Sequence, residues 1–240
     1  MRYCAPLLVA LALGFASAGI AAAQVPDPVT PEAIAQRIET RIREKFTATN
    51  LEVQVVPFDD PSYTQQGRLQ WVVISADKLE QDVFTVQQIF IKALDTTLDL
   101  DQLFATNSDV VRKVPGRSIV TAFVSEENLN KMIGPESSLA KNSGIEELKM
   151  QVLPGQLRIT GKYRPFFDAD LELIGRLEVA ERYNINFVPV SAKFNGVPLP
   201  QGLLRGLLKK MNPILDFHDV PMGPSVDQVV VDDHRVLITG

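Results

Sequence analysis

Two periodicities divide this chain of 240 residues. The first has a spacing of four: Ile34, Ile38, Ile42 and Phe46 fall on one helical stripe roughly 120° wide, as packing on a core requires. Thr30-Pro31 places an N-cap residue before a proline at the first helical position, so a helix is predicted from about Pro31 to Phe46. Arg37 and Arg41 flank the stripe and read as solvated charges whose stems snorkel beside the buried face.

From Leu51 the period falls to two. Leu51, Val53 and Val55, then Leu69, Trp71 and Val73 beyond a polar turn holding Pro61 and Gly67, read as strands. Val83 to Leu98 is strand-like, but its apolar phase slips from Phe84 and Val86 to Ile89 and Ile91, which predicts a bulge or a strand buried on both faces. Gly116 to Val124 is a short strand, after which Ser125 caps a helix over Glu126 to Ile133 that Gly134-Pro135 ends.

The second half alternates more cleanly. Leu148, Met150 and Val152, a Pro154-Gly155 turn, and Leu157, Ile159 and Tyr163 predict a hairpin. The next strand keeps Phe167, Ala169, Leu171, Leu173, Leu177 and Val179 on one face, with Asp168, Asp170, Glu172, Arg176 and Glu178 on the other. At about 3.3 Å per residue it reaches roughly 40 Å. Its expected partner, Tyr183 to Phe194, changes phase around Pro189 from Tyr183, Ile185 and Phe187 to Val190, Ala192 and Phe194, which predicts a bulge or bend that curls the sheet. A last helix spans about Pro200 to Asn212. Leu203, Leu204, Leu207, Leu208 and Met211 make an apolar arc of about 140° opposite Arg205 and Lys209, and Gly202 with Gly206 leaves a smooth flank. The chain closes in a hairpin, Val226 to Val231 and Arg235 to Ile238, turned by Asp232-Asp233-His234.

Composition narrows what such a fold can do. Arg2, the apolar run from Ala5 to Ile20 and the small residues Ala21-Ala22-Ala23 have the order of a cleavable secretory signal, with cleavage expected after Ala23. The alternative is a membrane anchor, for which the run is short. Cys4, the single cysteine, precedes the apolar run and would leave with it. The mature chain would then have neither a disulfide nor a thiolate site. The formal charge of −5 becomes one unit more negative without Arg2, which argues against general nucleic-acid binding while leaving room for local basic stripes.

Catalytic signatures are weak. There is no G-x-S-x-G elbow, Ser118 and Ser143 lie in ordinary strand or turn contexts, and no phosphate-cradling G-x-x-x-x-G-K-[ST] occurs. The two histidines, in Asp216-Phe217-His218-Asp219 and Asp232-Asp233-His234, read as parts of solvated turns rather than metal or acid-base clusters. No enzyme, cofactor or metal is expected.

Three short motifs carry a resemblance. Val124-Ser125-Glu126-Glu127-Asn128-Leu129-Asn130, the turn in Leu153-Pro154-Gly155-Gln156-Leu157, and Leu199-Pro200 before a helix closing in Met211-Asn212-Pro213 are similar to the LmeA-like phospholipid-binding family, exported or membrane-anchored bacterial proteins related to the tubular lipid-binding superfamily. The likeness is firmest over 116–240 and covers the earlier helix and strands in general arrangement. It implies a long curved sheet wrapped on helices, phospholipid acyl chains held inside, and no catalysis.

The expectation is therefore an α+β protein with a leader over 1–23 and one domain over 24–240, whose long antiparallel strands wrap around helices. It would be periplasmic or extracellular, free or membrane-associated. Its ligand would be a phospholipid or other apolar small molecule, with transient contact to a membrane surface and no nucleic-acid partner. Inward-facing periodicity selects Leu171, Leu173, Phe187, Leu204, Leu208 and Met211 as the lipid-lining residues. The competing reading is a cell-envelope adaptor with a filled core that binds protein or glycan on its polar face.

Overall fold

A computed structural model describes residues 25–82, 84–105, 112–114, 117–135, 141, 144–164, 169–218 and 220–240. The leader assigned to 1–23, and Val83, Gly116, Ser143, Phe167, Asp168 and Asp219, lie outside them.

The first helix, α1 (Pro31–Lys45), starts where its capping residues place it: Thr30 Oγ1 accepts the Ala33 N–H at 3.1 Å. It leads into β1 (Thr47–Thr49), β2 (Glu52–Val56), α2 (Pro61–Gln65), β3 (Arg68–Gln81), β4 (Phe84–Leu98), α3 (Leu100–Phe104), β5 (Arg112–Val114) and β6 (Arg117–Ser125). Helix α4 (Glu126–Met132) follows, with Ser125 Oγ accepting the Asn128 N–H. Then come β7 (Ile145–Leu153), β8 (Gln156–Tyr163), β9 (Ala169–Ala180), β10 (Asn184–Phe194) and β11 (Val197–Pro198), followed by α5 (Gln201–Met211), β12 (Leu215–Asp216), β13 (Gln228–Asp232) and β14 (Arg235–Thr239).

The fold is α+β, as expected, and its antiparallel strands are shared between two sheets. One runs β1-β3-β4-β6-β14-β13, with β2 added to β3 and β5 to β4; the other runs β11-β10-β9-β8-β7, with β12 added to β10. Helix α1 serves the first sheet through β2, and α5 serves the second through β10. The two sheets bury a single continuous hydrophobic cluster.

Both expected irregularities are present. Pairing of β4 with β6 shifts between Gln87 and Phe90, where Gln88 adopts φ +47°, so the phase slip marks a bulge. In β10 the register shifts between Pro189 and Ser191. Val190, assigned to the inward phase with Ala192 and Phe194, is instead the extra residue and is 69% exposed. In β3 the buried residues are Leu69, Val72, Ile74, Ala76 and Leu79, while Trp71 and Val73 are half-buried. Trp71 lies under Lys92 Nζ, 4.7 Å from the ring centroid, which suits an amphipathic aromatic at a wet face.

Arg37 and Arg41 depart from the solvated role. Arg37 Nε donates to the Leu103 carbonyl at 2.9 Å and its Nη2 to Ala105 at 2.9 Å, while Arg41, 4% exposed, adds a bond from Nε to the Leu103 carbonyl at 3.2 Å. The two guanidinium groups terminate α3, whose last carbonyls have no intrahelical partners and carry the negative end of the helix dipole. Arg37→Ala is expected to cost about 2 kcal/mol, because charged hydrogen bonds to the carbonyls that end α3 contribute more than neutral ones. Urea denaturation would show it as a lower midpoint with an unchanged slope.

The sheets meet through α4. Its Asn130 amide spans one residue on the edge of β7: Nδ2 donates to the Met150 carbonyl at 2.8 Å, and Oδ1 accepts the Met150 N–H at 2.9 Å. One turn earlier, Glu126 Oε2 accepts the Val152 N–H at 2.8 Å. Strand β7 is the end of its sheet, and these side chains fill the place of a missing neighbour. Across the turn between β7 and β8, the Gly155 N–H donates to Val231 on β13 at 2.9 Å, tying one sheet to the other.

Candidate functional site, the inner face of the six-stranded sheet

Alternation gives β9 and β10 one apolar face, and pairing assembles it: Leu171 stands opposite Phe194, Leu173 opposite Ala192, Leu177 opposite Phe187 and Val179 opposite Ile185. Gly175 makes room for the largest of these. A Cβ on it would lie 2.3 Å from the Val188 carbonyl oxygen and 2.7 Å from the Phe187 ring, so the glycine is there for close approach and not for an unusual backbone angle. At the end of the face Tyr163 and Phe194 stack with centroids 5.1 Å apart.

Helix α5 lies on β10. Its register follows from Asn212, the C-cap residue: Oδ1 accepts the Phe187 N–H at 2.9 Å and Nδ2 donates to the Phe187 carbonyl at 3.1 Å. This is the same two-bond clasp that Asn130 makes with Met150. In both places an asparagine amide completes the edge of a strand and fixes a helix against it. The chain then runs beside β10, with Ile214 N–H donating to Ile185 at 2.9 Å before β12 pairs there.

All six residues selected from the sequence belong to or pack on one cluster, at two depths. Leu171, Leu173, Phe187 and Met211 are 2% exposed or less, and Leu204 and Leu208 are half-buried. Leu203 at the start of the same stripe is 40% exposed. The arc on α5 thus runs from buried Leu207 and Met211, through half-covered leucines, to an open edge. The first four already contact protein; Leu204 and Leu208 pack on the cluster and keep part of their surface free.

The outer face is chemically different. A groove over β7, β8 and β9 is lined by Lys149, Arg158, Thr160, Lys162, Asp170 and Glu172. Ion pairs lie across it, Arg158 Nε to Glu172 Oε1 at 3.3 Å and Lys162 Nζ to Glu147 Oε1 at 3.1 Å. His234 is exposed in the β13–β14 turn, 3.6 Å from Glu126, and His218 is exposed with its ring edge-on to Tyr183. Among the described residues no three histidine, cysteine or acidic side chains stand together as metal ligands, and no helix is long and apolar enough to cross a membrane.

Two features escaped the sequence reading. The asparagine clasps sit inside the short motifs Val124–Asn130 and Met211-Asn212-Pro213, and an asparagine followed by proline at a helix end was the available signal for Asn212. The second is electrostatic. From Arg182 to Leu215 the chain has five cations and no acidic residue, an imbalance that the net charge conceals.

No curated protein and no solved structure matches the chain. A family model described as LmeA-like phospholipid-binding matches residues 25–240, taking in α1 and the early strands as well as the half in which the short motifs lie. The clasp residues Asn130 and Asn212 and the Pro154-Gly155 turn are therefore parts of one continuous match, and the chain belongs to the LmeA-like phospholipid-binding family.

Proposed function

We propose that this protein is an exported, non-enzymatic carrier or sensor of phospholipid, which holds acyl chain along the inner face of β9 and β10 beneath α5. Membership of a phospholipid-binding family supports lipid as the ligand. The observation that carries the site is the half-covered apolar stripe of α5, where Leu204 and Leu208 pack against the core cluster and retain free area. Each methylene buried there contributes about 0.8 kcal/mol before the costs of ordering the chain.

The test is mass spectrometry of an organic extract from Gln24–Gly240 purified without detergent. Wild-type protein is expected to release stoichiometric phospholipid. Leu204→Asp is expected to release none while remaining folded, because a half-buried position lets the new carboxylate reach water. An equally destabilising substitution away from the stripe, such as Arg37→Ala, should leave loading intact. A lipid-free wild-type extract that also takes up nothing from liposomes would favour the adaptor reading, with the polar outer groove as its contact surface. The full burial of Leu171, Leu173, Phe187 and Met211 is the observation that favours that second reading.

A further inference from the structure

The part of the molecule beside the open edge of α5 combines unpaired positive charge with the two most exposed large aliphatic side chains among the described residues. The stretch Arg182–Leu215, with its five cations and no acid, belongs to a chain of net charge −5. It contains β10, β11 and α5 at one edge of the six-stranded sheet; three of the cations, Arg205, Lys209 and Lys210, lie on α5, while Lys193 on β10 stands opposite Glu172 of β9. Lys193, Arg205, Lys209 and Lys210 are exposed, and none forms an ion pair with a carboxylate among the described residues.

Large aliphatic side chains are exposed at the same edge. Val190 in the β10 bulge is 69% exposed, Val197 in β11 65% and Leu203 at the start of α5 40%. Topology brings them close. Val197 pairs with Phe194, and so stands on the inner-face side of the sheet, and the Leu199 N–H donates to the Ala192 carbonyl at 2.9 Å. That bond returns the chain to the bulge just before the helix that presents Leu203. At 100° per residue, Lys210 falls beside Leu203 at one border of the helix stripe and Arg205 beside Leu208 at the other. Cations bordering a partly exposed leucine stripe are the pattern of a helix that rests at a bilayer interface, aliphatic groups among the acyl chains and ammonium groups at the phosphates.

We infer that the β10–β11–α5 edge docks this protein onto an anionic membrane surface. The occupant follows from charge complementarity: the chain as a whole is acidic, and this edge presents exposed cations that no carboxylate pairs among the described residues. The inference rests on the carrier reading for its purpose, since it places the open end of the α5 stripe against the source of acyl chains, but it stands on separate residues.

The experiment is flotation of Gln24–Gly240 with vesicles of phosphatidylcholine alone or of phosphatidylcholine with phosphatidylglycerol. Expected are binding to the anionic vesicles, weak binding to the neutral ones, and release by salt. A cation at such a surface contributes about fivefold in binding, so Lys209→Gln with Lys210→Gln is expected to weaken it about 25-fold. Val197→Ser with Leu203→Ser should lower binding to both vesicle types, and Lys149→Gln on the outer face should change nothing. Equal binding to both vesicles, no binding to either, or indifference to the Lys209 and Lys210 changes overturns the inference. Lipid extraction from the same preparations separates the two proposals: vesicle docking by a protein that is lipid-free and takes up no lipid from the vesicles sinks the carrier reading alone, and a lipid-loaded protein that fails to dock sinks only this one.

Discussion

Asn212→Ala is expected to lower the stability of the protein by about 3 kcal/mol, as the midpoint and slope of urea denaturation would measure. The asparagine supplies both hydrogen bonds of the Phe187 peptide groups on the open edge of β10, and Phe187 is 1% exposed, so water cannot replace them without entering the core. A net hydrogen bond is worth about 1 kcal/mol, but a buried donor or acceptor left without a partner costs about 1–3 kcal/mol. Asn130→Ala removes the same pair of bonds from Met150, also 1% exposed, and is expected to cost as much. The sites lie on opposite edges of one sheet, so the double variant should be close to additive. A loss below about 0.5 kcal/mol for either alanine, the usual range for surface changes, would show that these amides are incidental.

Asn130→Asp sharpens the test by adding a pH dependence. Aspartate keeps the acceptor for the Met150 N–H but sets a carboxylate oxygen against the Met150 carbonyl where an N–H had donated. The protonated acid can still donate, so the folded state favours the proton and raises the pKa above its unfolded value of about 3.9. A carboxyl group with a raised folded pKa stabilises below the unfolded pKa and loses that stability as pH rises through the folded one. This variant should therefore be more stable relative to wild type at low pH than at neutral pH, a trend that the alanine lacks.

The elements best read from the sequence are those whose cause is local. The Thr30 cap, Pro31 and the four-residue spacing locate α1 to within a residue of its observed end, and the phase slips in β4 and β10 locate two bulges. Side-chain destinations set by distant chain were not legible. Arg37 and Arg41 lie in an ordinary amphipathic pattern, and only the folded chain brings the C-terminus of α3, more than sixty residues on, against them. The assignment of Val190 to the inner face failed for a related reason: alternation cannot say which residue of a bulge is the extra one. The division into two sheets was also hidden, since strand periodicity reports which face is buried and not which strand is the neighbour. For the candidate site, periodicity found the inward residues but not their depth, because a leucine against a phenylalanine and a leucine against an acyl chain have the same spacing.

Phe187→Ala separates those two situations. The ring is 1% exposed, opposes Leu177 on β9 and lies close to Gly175, while its own backbone is held by Asn212. In protein stripped of lipid the truncation is expected to cost about 4 kcal/mol, since deleting a buried phenylalanine loses its transfer free energy and leaves a cavity that a pinned backbone cannot close. If acyl chain lies along this face, the vacated space is open to it, and the same substitution in lipid-loaded protein should cost appreciably less, because lipid that fills this space binds the folded variant more tightly than it binds wild type. Leu204→Ala should behave in the opposite way, with a small loss in the stripped protein and a large loss of lipid-dependent stabilisation. Equal losses for Phe187→Ala in the two preparations, together with a Leu204→Ala variant that retains the full effect of lipid, would place the ligand elsewhere and leave the inner face of β9 and β10 as core.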